Sequence, residues 1–394
     1  MTAWITRLAA ACWLACAVGA QAQPGAIVVG AVVSQTGPHA ERASGYRKGI
    51  ELWAEEVNAA GGLLGRRVEL RLLDDGSEAL RSGQLYVRLI REEKADVLIG
   101  PYGTAATLIG AAEAESARRV MVTGAAPSRA VHKRSPRYIF QAGVPYASYG
   151  DGLLALARER GYKNLYIIAR DDPVAGEMAQ ATHDRALKLG LNASDVEVYP
   201  AGASDFALQA GKARALGADA WVAFGEVRDA GEMIKSLKKA GYAPRLFFCR
   251  GASERALLKR VGQDAEFALG AREYDVRLAT AGNARFVEAF RKKFGAPPEG
   301  PAAEGYAAAT VLAEGVRRAG TADAEKLRVA LGALALDTVL GPYKVDPLTG
   351  EQTAAAPSLT QVLYGREQIV WPRPLATAQP VLPYPQWGER KILK

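Results

Sequence analysis

The chain has 394 residues, with 50 basic and 42 acidic side chains and a net charge of +8. Its basic residues are spread along the chain and not gathered in a block, which argues against nucleic acid as a partner. Three cysteines and three histidines leave little material for a disulfide framework or a metal cluster, and the length suggests two domains.

The N-terminus reads as an export signal. Arg7 is followed by the apolar run Leu8–Val18, and Ala20-Gln21-Ala22 gives the small-x-small pattern of a cleavage site. Cleavage near Ala22 makes the mature protein periplasmic. The run is too short to span a membrane, and no later stretch reaches ~18 uninterrupted apolar residues. Cys12 and Cys16 leave with the signal, so Cys249 remains as a lone thiol, expected as a small buried hydrophobe.

Strand and helix patterns then alternate. Ala26–Val33 is a β-branched apolar run. Ile50, Trp53, Ala54 and Val57 follow helical spacing, and Gly61-Gly62 stops them. Val68, Leu70 and Leu72 alternate with polar residues as a strand does, ending at Asp74-Asp75-Gly76. A helix is expected over Ser77–Lys94, a strand over Asp96–Gly100, a helix over Thr104–Arg118 and a strand over Val120–Thr123. The same grammar restarts near residue 145. Leu153, Leu154 and Ala157 mark a helix closed by Gly161, and strands are expected at Leu165–Ala169, Ala220–Phe224 and Arg245–Cys249. Two βαβα runs imply an α/β protein of two Rossmann-like, doubly wound lobes with parallel sheets, and ligand at the carboxyl ends of the strands. Prolines 372, 374, 380, 383 and 385 predict an extended tail packed on the surface.

No catalytic constellation stands out. His39, His132 and His183 are not spaced as metal ligands, and there is no nucleophile elbow, phosphate loop or dinucleotide fingerprint. Asp74-Asp75 and Asp171-Asp172 suit turns and helix entry better than an acid/base pair. The expectation is therefore no enzyme, no cofactor and no metal.

The strand ends, read in order, carry a resemblance. Gly30-Ala31-Val32-Val33-Ser34-Gln35-Thr36-Gly37 is followed by Glu55-Glu56-Val57-Asn58-Ala59-Ala60-Gly61-Gly62. Then come Val97-Leu98-Ile99-Gly100-Pro101-Tyr102-Gly103-Thr104, Val122-Thr123-Gly124-Ala125-Ala126 and Val339-Leu340-Gly341-Pro342-Tyr343. This series resembles the periplasmic substrate-binding proteins of branched-chain amino-acid ABC transporters, the type I, Leu/Ile/Val-binding-like family, over nearly all of residues 26–371. The resemblance implies a monomeric two-lobed flytrap that closes on a small polar ligand and docks on an inner-membrane permease. A receptor role, in which the same lobes signal to a membrane protein, is the alternative; an exported enzyme is a third. Crossings between lobes are implied near 143, 275 and 341. That gives a signal over 1–22, a first lobe of 24–143 plus 276–340, a second of 144–275 plus 341–371, and a tail of 372–394.

The resemblance also implies a pocket. Thr104, beside Tyr102 and Gly103, occupies the place where a hydroxyl and helix N-terminal N–H groups hold a carboxylate; as a plain helix cap it would serve structure alone. Gly124, Ala125 and Ala126 would offer backbone to the ligand amine, with Ser128 substituting for a hydroxyl that Pro127 displaces. Glu226 and Arg250 stand where amino-acid-binding members carry Tyr and Glu. Either they meet the ligand, Arg250 taking a second carboxylate, or they pair with each other. Glu41 falls where an aromatic residue often covers an aliphatic side chain. Tyr146, Gln35 and Asp172 are rim candidates.

Overall fold

The protein is described by a computed structural model covering residues 25–390. The signal sequence and its cleavage site lie outside the described residues. Among those described, no helix is long and apolar enough to cross a membrane.

The first lobe is built as its pattern requires. Strand β1 (Ile27–Val32) is almost wholly buried and runs into helix α1 (Ala40–Ala59), whose inner face carries Ile50, Trp53, Ala54 and Val57. Strands β2 (Val68–Leu73), β3 (Val97–Ile99), β4 (Met121–Thr123) and β5 (Ile139–Gln141) alternate with α2 (Ala79–Arg91) and α3 (Thr104–Ser116). They form an all-parallel sheet of order β2-β1-β3-β4-β5. That order places a topological switch point between β1 and β3, where the helices leave to opposite faces and a crevice opens at the strand ends.

The second lobe repeats the layout. Helix α4 (Asp151–Glu159) leads to β6 (Asn164–Arg170), α5 (Pro173–Lys188), β7 (Asn192–Ala193), β8 (Glu197–Tyr199), α6 (Ala207–Ala215), β9 (Ala220–Phe224), α7 (Val227–Lys239), β10 (Leu246–Cys249), α8 (Ala256–Val261) and β11 (Leu269–Arg272). These strands are parallel, with β6 between β9 on one side and β7 and β8 on the other. Cys249 is fully buried at the end of β10, which matches its reading as a core residue; burial pushes its thiol up to about 12.

The remaining chain ties the lobes together. Helix α9 (Asn283–Phe294) is followed by α10 (Gly300–Ala319) and α11 (Ala324–Gly332), with a hairpin of β12 (Ala335–Thr338) and β13 (Gly341–Lys344). Helices α1 and α10 cross closely because both present small residues: a Cβ on Gly49 would run into the Ala302 carbonyl, and one on Gly305 into the Tyr46 carbonyl. Strand β14 (Ser358–Leu363) joins the second sheet antiparallel to β11, and β15 (Arg366–Trp371) pairs antiparallel with β14 at the edge. The second sheet is thus mixed, and a tight Tyr364-Gly365 turn with both φ values positive returns β14 into β15.

The last crossing falls later than 341. The segment after β13 stays on the first lobe: Gln141 N donates to Gly350 O at 2.9 Å, Val345 bridges Gln352, and Tyr343 and Val345 join the first core. The chain re-enters the second sheet only at Ser358. The proline-rich tail does pack on the surface, and it also fills part of the second lobe. Tyr384 is buried against Phe247, and Gln361 holds Val381 through both its N–H and its carbonyl at 2.9 Å.

Candidate functional site

The expected residues stand at or near the strand ends of the two lobes. In the first lobe, Gly103 is the N-cap of α3 with φ +93°, and its N–H donates to Ala125 O at 3.1 Å, joining the loops after β3 and β4. Thr104 is therefore the first helical residue and not the cap. No side chain caps α3, so its leading N–H groups are available to an anion. Gly124 lies against α10, with no room for a side chain beside the Glu304 carbonyl and the Tyr46 ring. Ala125 and Ala126 are buried beneath it.

Four expectations need revision. Ser128 is buried and donates to Glu177 Oε2 at 2.5 Å, so its hydroxyl joins α5 of the other lobe and is not free for ligand. Glu41 is exposed in the first turn of α1, as is Arg42 beside it, whose charge the Tyr102 phenol favours. Glu226 does not pair with Arg250. It lies 2.7 Å from Arg170, which also faces Asp172 at 3.8 Å and Asp229 at 3.9 Å. Strand β9 lies between β6, with Ala169 opposite Phe224, and β10, with Cys249 opposite Ala223, so Glu226 has a strand-end neighbour on each side and meets the one from β6. Finally, Asp172 caps α5 by accepting from Ala175 N at 2.8 Å, which leaves it a structural residue.

Asp74 confirms the turn reading. It accepts from Gln35 N at 2.8 Å, Thr36 Oγ1 at 2.8 Å and Gly76 N at 2.9 Å, fixing the Gln35 loop. Among the described residues, no group of His, Cys, Asp and Glu is arranged to hold a metal ion.

The cleft contains a charged cluster that sequence reasoning reaches only in part. Arg42 of the first lobe is held above its ordinary value, chiefly by the Tyr102 phenol and also by Glu254 and Glu273, against the effect of burial. Burial works against the charge of Arg250, yet Tyr149, Glu273 and Glu254 around it outweigh that and raise its pKa. Burial pushes the Glu304 carboxyl well up, Glu273 adds to the effect, and Arg42 opposes it. Tyr102 is pushed up to about 12 by burial and Glu304, with Arg42 opposing. Tyr146 is raised by burial, Glu304 and Glu273. Tyr149 donates to Glu273 Oε2 at 3.1 Å and stands edge-on to Tyr146. Residues from α1, α10, the loop after β3, the start of the second lobe and the ends of β10 and β11 thus feel one another's charge.

Each residue beyond the expected set has left a different trace. Arg42 is one position from the expected Glu41. Glu273 follows a strand, Leu269–Arg272, too short and too interrupted by Gly270 to stand out as an apolar run. Glu304 is an acid on the small-residue face of α10, flanked by buried Ala303, Ala307 and Ala308, which is an unusual place for a charge. A hollow of about 600 Å³ between α10 and α11 is bordered by Arg318, Glu325, Lys326, Arg328 and Val329, none of them at the strand ends that form the cleft.

A family model described as periplasmic binding protein matches residues 26–363. The chain belongs to that family. Among curated relatives of this periplasmic binding protein, an amino acid binding protein of Pseudomonas aeruginosa is 28% identical over 81% of this chain and 86% of its own length. A leucine-, isoleucine-, valine-, threonine- and alanine-binding protein of the same organism is 25% identical over 79% of this chain and 83% of its own. The fold is shared with a putative branched-chain amino acid ABC transporter protein from Silicibacter pomeroyi (TM-score 0.79, 21% identity, 91% of this chain and 99% of that one). It is also shared with a solute-binding protein from R. palustris in complex with benzoate (TM-score 0.66, 20% identity, 92% and 97% covered). The two-lobed flytrap of the Leu/Ile/Val-binding type is therefore the architecture of this chain.

Proposed function

We propose that the protein is the periplasmic solute-binding component of an ABC importer, and that it captures a small polar solute, an amino acid or related carboxylate, between its lobes. Residues 1–22 serve as the export signal, and the mature chain works as a monomer whose outer faces meet the permease. The first lobe comprises 24–143 with 276–354, and the second 144–275 with 358–371.

The observation that carries this reading is the converging charge in the cleft. Arg42, Arg250, Glu254, Glu273 and Glu304 face one another from both lobes, yet among the described residues none enters an ion pair within 4.0 Å. Ionisable groups held so, without ion-pair partners, are poised to exchange water for a solute that supplies them. Tyr102, Gly103 and Thr104 form the first-lobe wall, with the open N–H groups of α3 aimed at a carboxylate. Gly124, Ala125 and Ala126 bring backbone close. Arg250, Tyr146 and Tyr149 form the opposite wall. A solute touching both walls binds the closed arrangement better than an open one and so draws the lobes together.

A thermal-shift and calorimetry screen of the mature protein, freed of bound solute by partial unfolding, tests this. At ~100 times the dissociation constant, a true solute stabilises the protein by about 2.7 kcal/mol. A rise in Tm with one chemical class, weakened in Thr104→Ala, supports the reading. Turnover of a metabolite would overturn it, as would indifference to every amino acid and carboxylate offered.

A further inference from the structure

We infer that a cavity at the hinge, apart from the solute cleft, binds a small organic cation with an apolar body, and that its occupant holds the hinge. The inference goes beyond the solute-binding reading and does not depend on it.

The cavity measures about 370 Å³, within the range of small-molecule sites. It lies where the chain passes between the lobes. Residues 278–281 and the β12–β13 hairpin wall it from the first lobe. Ser358, which opens β14, and Trp371, which closes β15, wall it from the second, and Leu375 of the tail joins them. These walls are fixed by contacts of their own. Thr280 Oγ1 donates to Val339 O at 2.8 Å, Thr338 Oγ1 to Gly341 O at 3.0 Å, and Leu375 N to Pro372 O at 3.0 Å. The Trp371 ring is pressed against α4, where a Cβ added to Gly152 would come within 2.7 Å of it.

The lining sets the chemistry. Leu278, Leu340, Pro342, Trp371 and Leu375 offer apolar surface to the body of a ligand. Of the residues that line the cavity, Glu273 and Asp337 are the charged ones, both acidic, and neither enters an ion pair within 4.0 Å among the described residues. The basic residues beside it in sequence are engaged elsewhere: Arg272 is 3.1 Å from Glu367, Arg277 is 2.8 Å from Asp275, and Arg373 is 2.7 Å from Glu159. An ammonium entering the cavity therefore meets two carboxylates and an indole, the side chain whose ring attracts a cation most strongly. An anion of the same shape meets repulsion, and a neutral molecule gains the apolar walls alone. Because the walls come from both lobes, an occupant fits one hinge angle better than others and draws the lobes toward it.

Isothermal calorimetry on the mature protein, freed of bound solute, tests this with 2-phenylethylamine, 2-phenylethanol and 3-phenylpropanoate. The three share a ring on a two-carbon arm and differ in charge. The amine is expected to bind one-to-one, at least about tenfold more tightly than the alcohol, and the acid more weakly still. Asp337→Asn, at an exposed position, should weaken the amine by about fivefold or more, and Ala354→Phe, which fills the cavity from its exposed rim, should abolish its binding; both should leave the urea midpoint unchanged. Small-angle scattering should show a smaller radius of gyration with the amine than without it. Amine and alcohol binding alike overturns the role given to the carboxylates. Amine binding that both variants leave intact lies elsewhere and overturns the site, as does an absence of amine binding. Bound amine with an unchanged radius overturns the hold on the hinge. None of these results bears on the solute-binding reading, which is tested at the cleft.

Discussion

Glu177 offers a direct test of how the lobes are held. It lies on α5 of the second lobe and accepts from Ser128 Oγ at 2.5 Å and Arg129 N at 2.8 Å, both on the first. Hydrogen bonds to a charged group contribute about 1.5–3 kcal/mol each when shielded. Ser128 is buried but Arg129 is exposed, so the first bond is counted near the lower end and the second only in small part, for about 2 kcal/mol together. Because the bonds join two lobes, their loss in Glu177→Ala falls on the balance between this arrangement and a more open one. About 2 kcal/mol moves that balance roughly thirtyfold, and the affinity of a solute that needs the closed form drops by a comparable factor. Small-angle scattering on the free variant should show a larger radius of gyration, and calorimetry the weaker binding. If scattering and affinity stay put while the urea midpoint falls by the full amount, the bond maintains the folded structure and has no part in closure, and the reasoning is wrong.

Other outcomes follow from the same structure. Glu304 titrates near the ordinary ~4.3 when unfolded and well above it when folded, so the folded state loses stability as pH rises through that window. Urea titrations from pH 4 to 8 should therefore show wild type losing ground to Glu304→Gln, at a slope approaching about 1.4 kcal/mol for each step of one in pH, and parallel curves would contradict this. Gly251→Ala places a Cβ in the Glu226–Val227 backbone; it should destabilise by about 1–3 kcal/mol in urea and weaken solute binding by displacing Arg250. Cys249, buried with its thiol pushed up to about 12, should resist a thiol reagent at pH ~8 in the native protein and react at once in denaturant. Tyr384→Ala removes a buried ring packed on Phe247 and Trp387 and should cost about 3–5 kcal/mol by chemical denaturation.

Much of the fold is legible in the sequence because parallel strands buried on both faces write continuous apolar runs, and amphipathic helices write their period. Ile27–Val32, Ala220–Phe224 and Leu246–Cys249 are of the first kind, α1 of the second. Strands β14 and β15 are harder to read because Ser358, Thr360, Gln361 and Gln368 are buried polar residues that break the apolar run; Gln361 is met by Phe267 O, just before β11, and by Val381 of the tail, and Gln368 by Thr377. Positions at strand ends, such as Gly103, Thr104 and Arg250, can be placed from the sequence. The site is unreadable where it depends on which neighbour a long side chain reaches. Glu226 and Arg250 end adjacent strands, yet Arg170, on the strand that flanks β9 from the other side, claims Glu226. Arg42 and Glu304 come from helices far apart in the chain, and only the close crossing of α1 and α10 brings them to one place.

That interleaving of segments has a consequence for how the molecule is made. Strand β11 pairs with β10 on one side and β14 on the other, and β14 follows only after α9, α10, α11 and a hairpin have been laid against the first lobe. As the chain emerges from synthesis, β11 is an open edge of apolar backbone with its partner still unmade, a template for pairing with other chains. Neither lobe is a contiguous stretch, so no single cut frees one intact. The contacts that complete the second sheet span long loops and are slow to form. A chain ending before Ser358 should therefore aggregate where the full chain folds.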